Sequence, residues 1–123
     1  MPKAVPMDVH VKVWLERDSQ IALSDYRARL LRLVHDTGSL AQAAQTMGLS
    51  YRRAWGKVRE LERNLGCELV TSDVGGVGGG RSRLTPAGER LLLRYETFLA
   101  ELLDSADTLF RRHFPPDERS AER

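Results

Sequence analysis

Between Ser24 and Gly66 the sequence stops and restarts a helix with almost no chain in between. The stretches "SDYRARLLRLVHDTG", "SLAQAAQTMG" and "SYRRAWGKVRELERNLG" each open on serine and close on glycine, and only Leu49 separates the second from the third. A serine side chain satisfies an orphan N–H of the first helical turn, and glycine suits the backbone on which helices end. Apolar residues recur at helical spacing inside each stretch. They are Leu30, Leu31, Leu33 and Val34 in the first, Leu40, Ala43, Ala44 and Met47 in the second, and Ala54, Val58, Leu61 and Leu65 in the third. With no linker to spread them, such helices bury their stripes only by crossing one another at once. The small pair Ala43 and Ala44 predicts a close crossing, Gly48 the turn, and Leu49 the plug beneath it. Together they make the pattern of a helix–turn–helix.

The third helix has a second face. With Val58 inward, steps of about 100° per residue carry Arg52, Arg53, Gly56, Arg59, Glu60 and Arg63 outward. Lys57 falls on the flank, with Tyr51 and Trp55 at the border of the core face. A recognition helix enters the major groove by its N-terminal turn, and that turn here reads Ser-Tyr-Arg-Arg from Ser50. Arginine can donate two hydrogen bonds to guanine, about 1–3 kcal/mol of discrimination for each good pair. Gly56 costs a helix about 1 kcal/mol relative to alanine. On an outward face it has no packing role, so close approach of DNA accounts for it. For Tyr51 and Trp55, packing explains the residue as well as contact does. Charge is distributed to match: residues 24–63 carry eight basic and four acidic side chains, net +4, whereas residues 95–123 carry four basic and seven acidic, net −3. A polyanion would be met in the middle of the chain.

The flanks read as short strands. "DVHVKVWLER" alternates Val9, Val11, Val13 and Leu15 against His10, Lys12, Trp14 and Glu16, which predicts a strand over residues 8–17 and a return through residues 21–23. After the third helix, "CELV" at residues 67–70 and "SRL" at 82–84 bracket a glycine-rich loop. Within it "GGVGGGRS" differs by one residue from a phosphate-binding P-loop, with Arg81 in the place of lysine. Only Arg83 and Leu84 separate Ser82 from the next helix start, and no later segment reads as a strand. The parallel sheet of a nucleotide-binding fold has no place here. A hairpin wing fits instead: Gly78, Gly79 and Gly80 let its tip follow a phosphate backbone, while Arg81 and Arg83 bring charge to it. Ser39 and Ser50, at the two helix starts, complete the expected DNA-facing set.

"TGSLAQAAQTMGLSYRRAWGKVRELERNLGCELV", followed by "GGVGGGRSRLTPAGERLLLRY", resembles the N-terminal DNA-binding domain of the molybdate-responsive ModE regulators. The resemblance covers roughly residues 8–112, and LysR regulators share parts of it more distantly. It implies a homodimeric winged helix–turn–helix acting at promoters on double-stranded DNA, with Tyr51, Arg52 and Arg53 at the recognition-helix start and residues 75–81 on the wing. ModE regulators carry C-terminal molybdate-binding modules that have no counterpart in these residues. Molybdate sensing is therefore not carried over, and a separate effector-sensing partner is one way to supply it.

Thr85 caps a last helix with Pro86 at its first position, as helix starts prefer. The helix is expected to reach about His113. A span of about 29 residues is on the order of 43 Å. Leu92, Tyr95, Leu99, Leu102, Ala106 and Leu109 step by threes and fours, a heptad seam expected to meet a second copy. The expected architecture is mainly α with small β: a flexible start (1–7), a winged helix–turn–helix with an N-terminal β-hairpin (8–84), a long dimerisation helix (85–113) and a tail (114–123). The start lacks an apolar signal-peptide core, no run suits a membrane span, and a lone Cys67 fits a reducing cytoplasm. His10, His35 and His113 are scattered without metal-ligand spacing, and the serines are explained as caps. The expectation is no enzyme, no metal and no cofactor. The alternative from another class is a winged-helix protein-interaction module that does not bind DNA.

Overall fold

The computed structural model describes residues 7–73 and 81–116. The glycine loop, including Gly78, Gly79 and Gly80, lies outside the described residues, as do the first six and last seven positions. The chain divides into two compact units, Val13–Glu96 and residues 1–12 with 97–123.

In the first unit, β1 (Trp14–Arg17) and β2 (Gln20–Ser24) form an antiparallel hairpin. Asp18 and Ser19, with φ of 51° and 65°, make its two-residue turn. Positive φ at both central positions matches the right-handed twist of the flanking strands. The expected strand over residues 8–17 is shorter than its alternation suggested, because pairing begins only at Trp14 opposite Ser24. β2 offers no backbone beyond Ser24, whose side chain already caps the following helix. A register shift between Leu15 and Glu16 leaves Ala22 as an extra residue. The bulge turns Ala22 and Leu23 inward together, at 6% and 0% exposure.

Three helices follow, α1 (Asp25–Thr37), α2 (Leu40–Thr46) and α3 (Tyr51–Leu65). Their predicted caps form: Ser24, Ser39 and Ser50 accept from the N–H groups of Arg27, Gln42 and Arg53 at 3.3, 3.1 and 3.1 Å. Leu30, Leu31, Val34, Leu40, Ala43, Ala44, Ala54, Val58 and Leu61 are buried where these three helices pack on one another. Arg17 donates to the Leu65 carbonyl at 2.7 Å, and Asn64 donates to the Ile21 carbonyl at 2.9 Å. These bonds fasten the hairpin to the end of α3.

A second antiparallel hairpin, β3 (Val70–Ser72) with β4 (Ser82–Leu84), follows α3. The strand expected at residues 67–70 begins instead at Val70, since Cys67 and Glu68 are exposed and Leu69 turns into the core. The N–H groups of Leu69 and Val70 are taken by the Glu62 carboxylate. Ser82 N–H donates to the Gly38 carbonyl at 3.0 Å, which ties β4 to the junction of α1 and α2. A helix–turn–helix followed by this hairpin is the winged helix–turn–helix architecture.

The last helix, α4 (Pro86–His113), starts as its Thr85 cap and Pro86 predict. Thr85 accepts from Gly88 N–H at 3.0 Å. The expected seam divides along its length. Leu92 and Tyr95 are 2% and 3% exposed, so they belong to the core of their own chain and not to a free edge. Tyr95 donates to Asp25 at 2.7 Å, across to the first turn of α1. In the second unit, Leu99, Leu102 and Ala106 are half-buried and Leu109 is exposed. Phe98, Leu103 and Phe114 are also exposed, and Phe114 stacks on Phe110 with ring centres 5.4 Å apart.

Two glycines in helices have opposite surroundings. A Cβ on Gly88 would overlap the Leu69 carbonyl, whereas one on Gly56 would meet nothing within 4 Å. Gly88→Ala is expected to lose about 1–3 kcal/mol to overpacking, while Gly56→Ala gains about 0.5–1 kcal/mol from helix propensity. Urea denaturation midpoints check both signs.

Burial, then the hydrogen bond to the Asp25 carboxylate, holds the Tyr95 phenol protonated well above the usual tyrosine range. A folded-state value raised above the unfolded one adds stability in full below about pH 10, where unfolded tyrosine titrates. That stability is lost as pH climbs toward the folded value. Tyr95→Phe should therefore cost about 1 kcal/mol at neutral pH and lose less than the parent above about pH 10. Urea midpoints at about pH 8 and 11 measure both effects.

Candidate nucleic-acid interface

The turn between α2 and α3 is built by main-chain bonds that converge on the end of α2. Leu49 N–H donates to the Ala44 carbonyl at 2.8 Å, and Gly48 N–H donates to Gln45 at 3.1 Å. Gly48 has φ +70°, a left-handed conformation that side chains with a Cβ disfavour. The chain thereby reverses within a few residues, and Ala43, Ala44 and Ala54 are 0%, 1% and 0% exposed. Their small side chains let α3 lie close on α2.

With Ala54, Val58 and Leu61 buried, the opposite face of α3 is free. Arg52, Arg53, Gly56, Arg59, Glu60 and Arg63 are exposed, and Lys57 is half-buried on the flank. Tyr51 is 52% exposed. It meets Trp55 edge-on with ring centres 6.4 Å apart. The helical period therefore placed this face as expected.

Ion pairing sorts these cations. Arg27 of α1 reaches Glu60 at 2.5 Å, and Arg59 reaches Glu62 at 2.6 Å. Arg59 also lies over the Trp55 ring at 4.3 Å, and Lys57 over Tyr26 at 5.1 Å. Both carboxylates of α3 are thus occupied by other residues. Arg52 and Arg53 form no ion pair among the described residues. They leave the first turn of α3 together, at the helix end whose partial charge is positive. Ser39 and Ser50 spend their hydroxyl lone pairs as caps, which leaves each O–H available as a donor.

The second hairpin adds two arginines of different standing. Arg81 is exposed, and its carbonyl accepts from Asp73 N–H at 2.7 Å, so its backbone is held directly across from Asp73. Its side chain has no ion pair among the described residues. Arg83 does not point free as expected, because both of its bonds to the Asp73 carboxylate are 3.0 Å. Arg59 is not free either: Glu62 lies three residues on along the same helix, a spacing at which helical side chains meet. Arg27 was missed altogether, since its partner lies on another helix. Opposite charges flanking a glycine loop, Asp73 and Arg83, were another available signal.

Among the described residues no cluster of three or more His, Cys, Asp or Glu is placed to hold a metal ion, and no helix is long and apolar enough to cross a membrane.

Residues 27–89 match the family model described as bacterial regulatory helix-turn-helix protein, lysR family. The chain is 43% identical over 82 residues to the molybdenum-pterin-binding protein MopB of Rhodobacter capsulatus, covering 64% of this chain and 30% of that one. It is 31% identical over 111 residues to the transcriptional regulator ModE of Yersinia pestis, covering 90% of this chain and 42% of that one. This chain spans less than half the length of those relatives. The solved CbnR_DBD-DNA complex superposes with a TM-score of 0.56 at 23% identity, covering 72% of this chain and 95% of that one. At that identity the likeness speaks for the fold. The helix–turn–helix, its hairpin and the matched span agree: the chain belongs to the lysR family of bacterial regulatory helix–turn–helix proteins.

Proposed function

We propose that this chain is a sequence-specific, double-stranded DNA-binding transcriptional regulator that acts as a homodimer in the cytoplasm. One observation carries it: Arg52 and Arg53 stand exposed on the first turn of α3 with no carboxylate partner among the described residues, while Arg27, Arg59 and Arg83 are paired. In a major groove, such paired guanidinium groups reach guanine edges, and Gly56 leaves the adjoining surface low enough for a close approach. Arg81, with Arg63 and the serine O–H groups, supplies phosphate contacts that position the helix. Support comes also from the relatives, since ModE of Yersinia pestis is a transcriptional regulator and the CbnR_DBD structure is a DNA complex.

A link to molybdenum-related regulation follows from the names of the ModE and MopB relatives. In this proposal the described residues make the DNA contact. Catalysis has no part in it.

The homodimer rests on the distal half of α4. Phe98, Leu103 and Leu109 are 47%, 43% and 46% exposed there, with Leu99, Leu102 and Ala106 beside them. A second copy covering them would present two recognition helices to half-sites spaced by about one helical turn or a multiple of it.

Arg53→Ala is expected to lower preference for its base by roughly 5- to 150-fold. Arg81→Ala should weaken binding to all sequences alike and reduce the salt slope by about one. Binding-site selection and titrations at several salt concentrations measure these effects. Unchanged preference in both Arg52→Ala and Arg53→Ala removes the specificity assignment, and binding that ignores salt favours a protein-interaction module.

Leu102→Glu should shift sedimentation from dimer to monomer. It should also weaken binding to a two-half-site duplex far more than to a single half-site. A dimer that survives this change and Phe98→Glu would place the interface elsewhere.

A further inference from the structure

One carboxylate joins the two parts proposed to meet DNA. Glu62, near the end of α3, is almost enclosed, with its side chain 10% exposed. Its Oε2 accepts from the N–H groups of Leu69 at 2.7 Å and Val70 at 3.1 Å. Its Oε1 accepts from Arg59 at 2.6 Å. The Glu62 main-chain carbonyl meanwhile accepts from Gly66 N–H at 2.7 Å and Cys67 N–H at 3.3 Å. The backbone of this residue thus closes the helix, and its side chain holds the chain that leaves it.

Each side of the carboxylate leads to a proposed DNA contact. Val70 opens β3 and pairs with Leu84, and the strand beginning at Ser82 directly follows Arg81. On the other side, Arg59 lies over Trp55 at 4.3 Å, and Trp55 meets Tyr51 edge-on. Tyr51 adjoins Arg52 and Arg53. Packed contacts therefore run from the first turn of α3 to the root of the second hairpin, and Glu62 is the member that spans both elements.

A glutamate is not demanded by the helix itself. Any residue would supply the carbonyl that caps the end, and an aliphatic side chain would fill the space. Only an ionised carboxylate can accept two backbone N–H groups and a guanidinium at once, in charge-assisted bonds.

We propose that Glu62 is a positioning residue for DNA recognition. It fixes the β3–β4 hairpin to α3 so that Arg81 on phosphate and Arg52 and Arg53 on bases engage in one register. This rests on the DNA-binding function proposed above. Glu62 acts through its neighbours and need not touch DNA.

The test is a double-mutant cycle on the full chain with one duplex operator, each protein corrected for its folded fraction by circular dichroism. In the parent background Arg81→Ala should weaken binding about three- to tenfold at low salt. In the Glu62→Ala background the same change should cost less than about twofold, because a hairpin out of register no longer places residue 81 on phosphate. Arg53→Ala should cost the same in both backgrounds. Glu62→Gln keeps an oxygen for the Leu69 and Val70 N–H groups and should restore most of the Arg81 sensitivity. It carries the cycle if Glu62→Ala does not fold. A purely structural role lowers the folded fraction and leaves the Arg81→Ala ratio unchanged, and that equality overturns the proposal. Absence of DNA binding by the parent protein overturns the underlying function as well, a separate result seen before any variant is compared.

Discussion

The main chain of Leu69 is where α3, the second hairpin and the last helix are tied to one another. Its N–H goes to Glu62 on α3, and its carbonyl accepts from Thr85 N–H at 2.8 Å. Thr85 caps α4 and also donates its hydroxyl to the Glu68 carbonyl at 2.7 Å. One turn further along α4, Gly88 rests against the same Leu69 carbonyl without space for a Cβ. A buried main-chain group must be satisfied, and here the N–H and the carbonyl of Leu69 are satisfied by different elements. Main-chain geometry tolerates little displacement, so Glu62 and the start of α4 together hold the point at which the hairpin leaves α3.

On that scaffold, electrostatics acts by subtraction. The chain is only modestly basic, at +2, and net charge alone would not make a nucleic-acid surface. Glu60 and Glu62 on α3 and Asp73 beside the second hairpin each engage an arginine. Exposed pairs such as Arg83 with Asp73 add little to stability. Their effect is to decide which guanidinium groups stay uncommitted. Arg52 and Arg53 on the first turn of α3 and Arg81 at the start of β4 are among them. A phosphate backbone met there displaces no existing partner.

The aromatic residues bear on the same surface. Trp55 was open to either packing or contact when viewed as a helical position. In the fold it is half-buried between Tyr51 and Arg59, where it stiffens the exposed face of α3. Tyr51, at the outer end of that series, remains half in solvent beside the two free arginines. A single residue series thus serves both the helix and the surface it presents.

The helices and their order were legible in the sequence, because capping and periodicity are local. A serine oxygen satisfies an N–H three residues on, a glycine ends the turn, and a stripe at 3.6-residue spacing chooses its own inward face. That logic also placed Arg52, Arg53 and Gly56 outward. Strand lengths were less legible: alternation at residues 8–17 extended past the point where β2 could pair, and Cys67 belonged to a turn held by Glu62. The heptad seam failed at Leu92 and Tyr95 because period alone does not say which neighbour covers a stripe, and here the chain's own core covers them. Arg27 finds Glu60 from 33 residues away, and Arg32 finds Glu96 from 64. The sequence by itself determined which helices form and which way each one faces. Only the tertiary structure decided which charges on different elements cancel, as Arg27 does with Glu60, since that depends on distances across the fold and not on spacing along the chain.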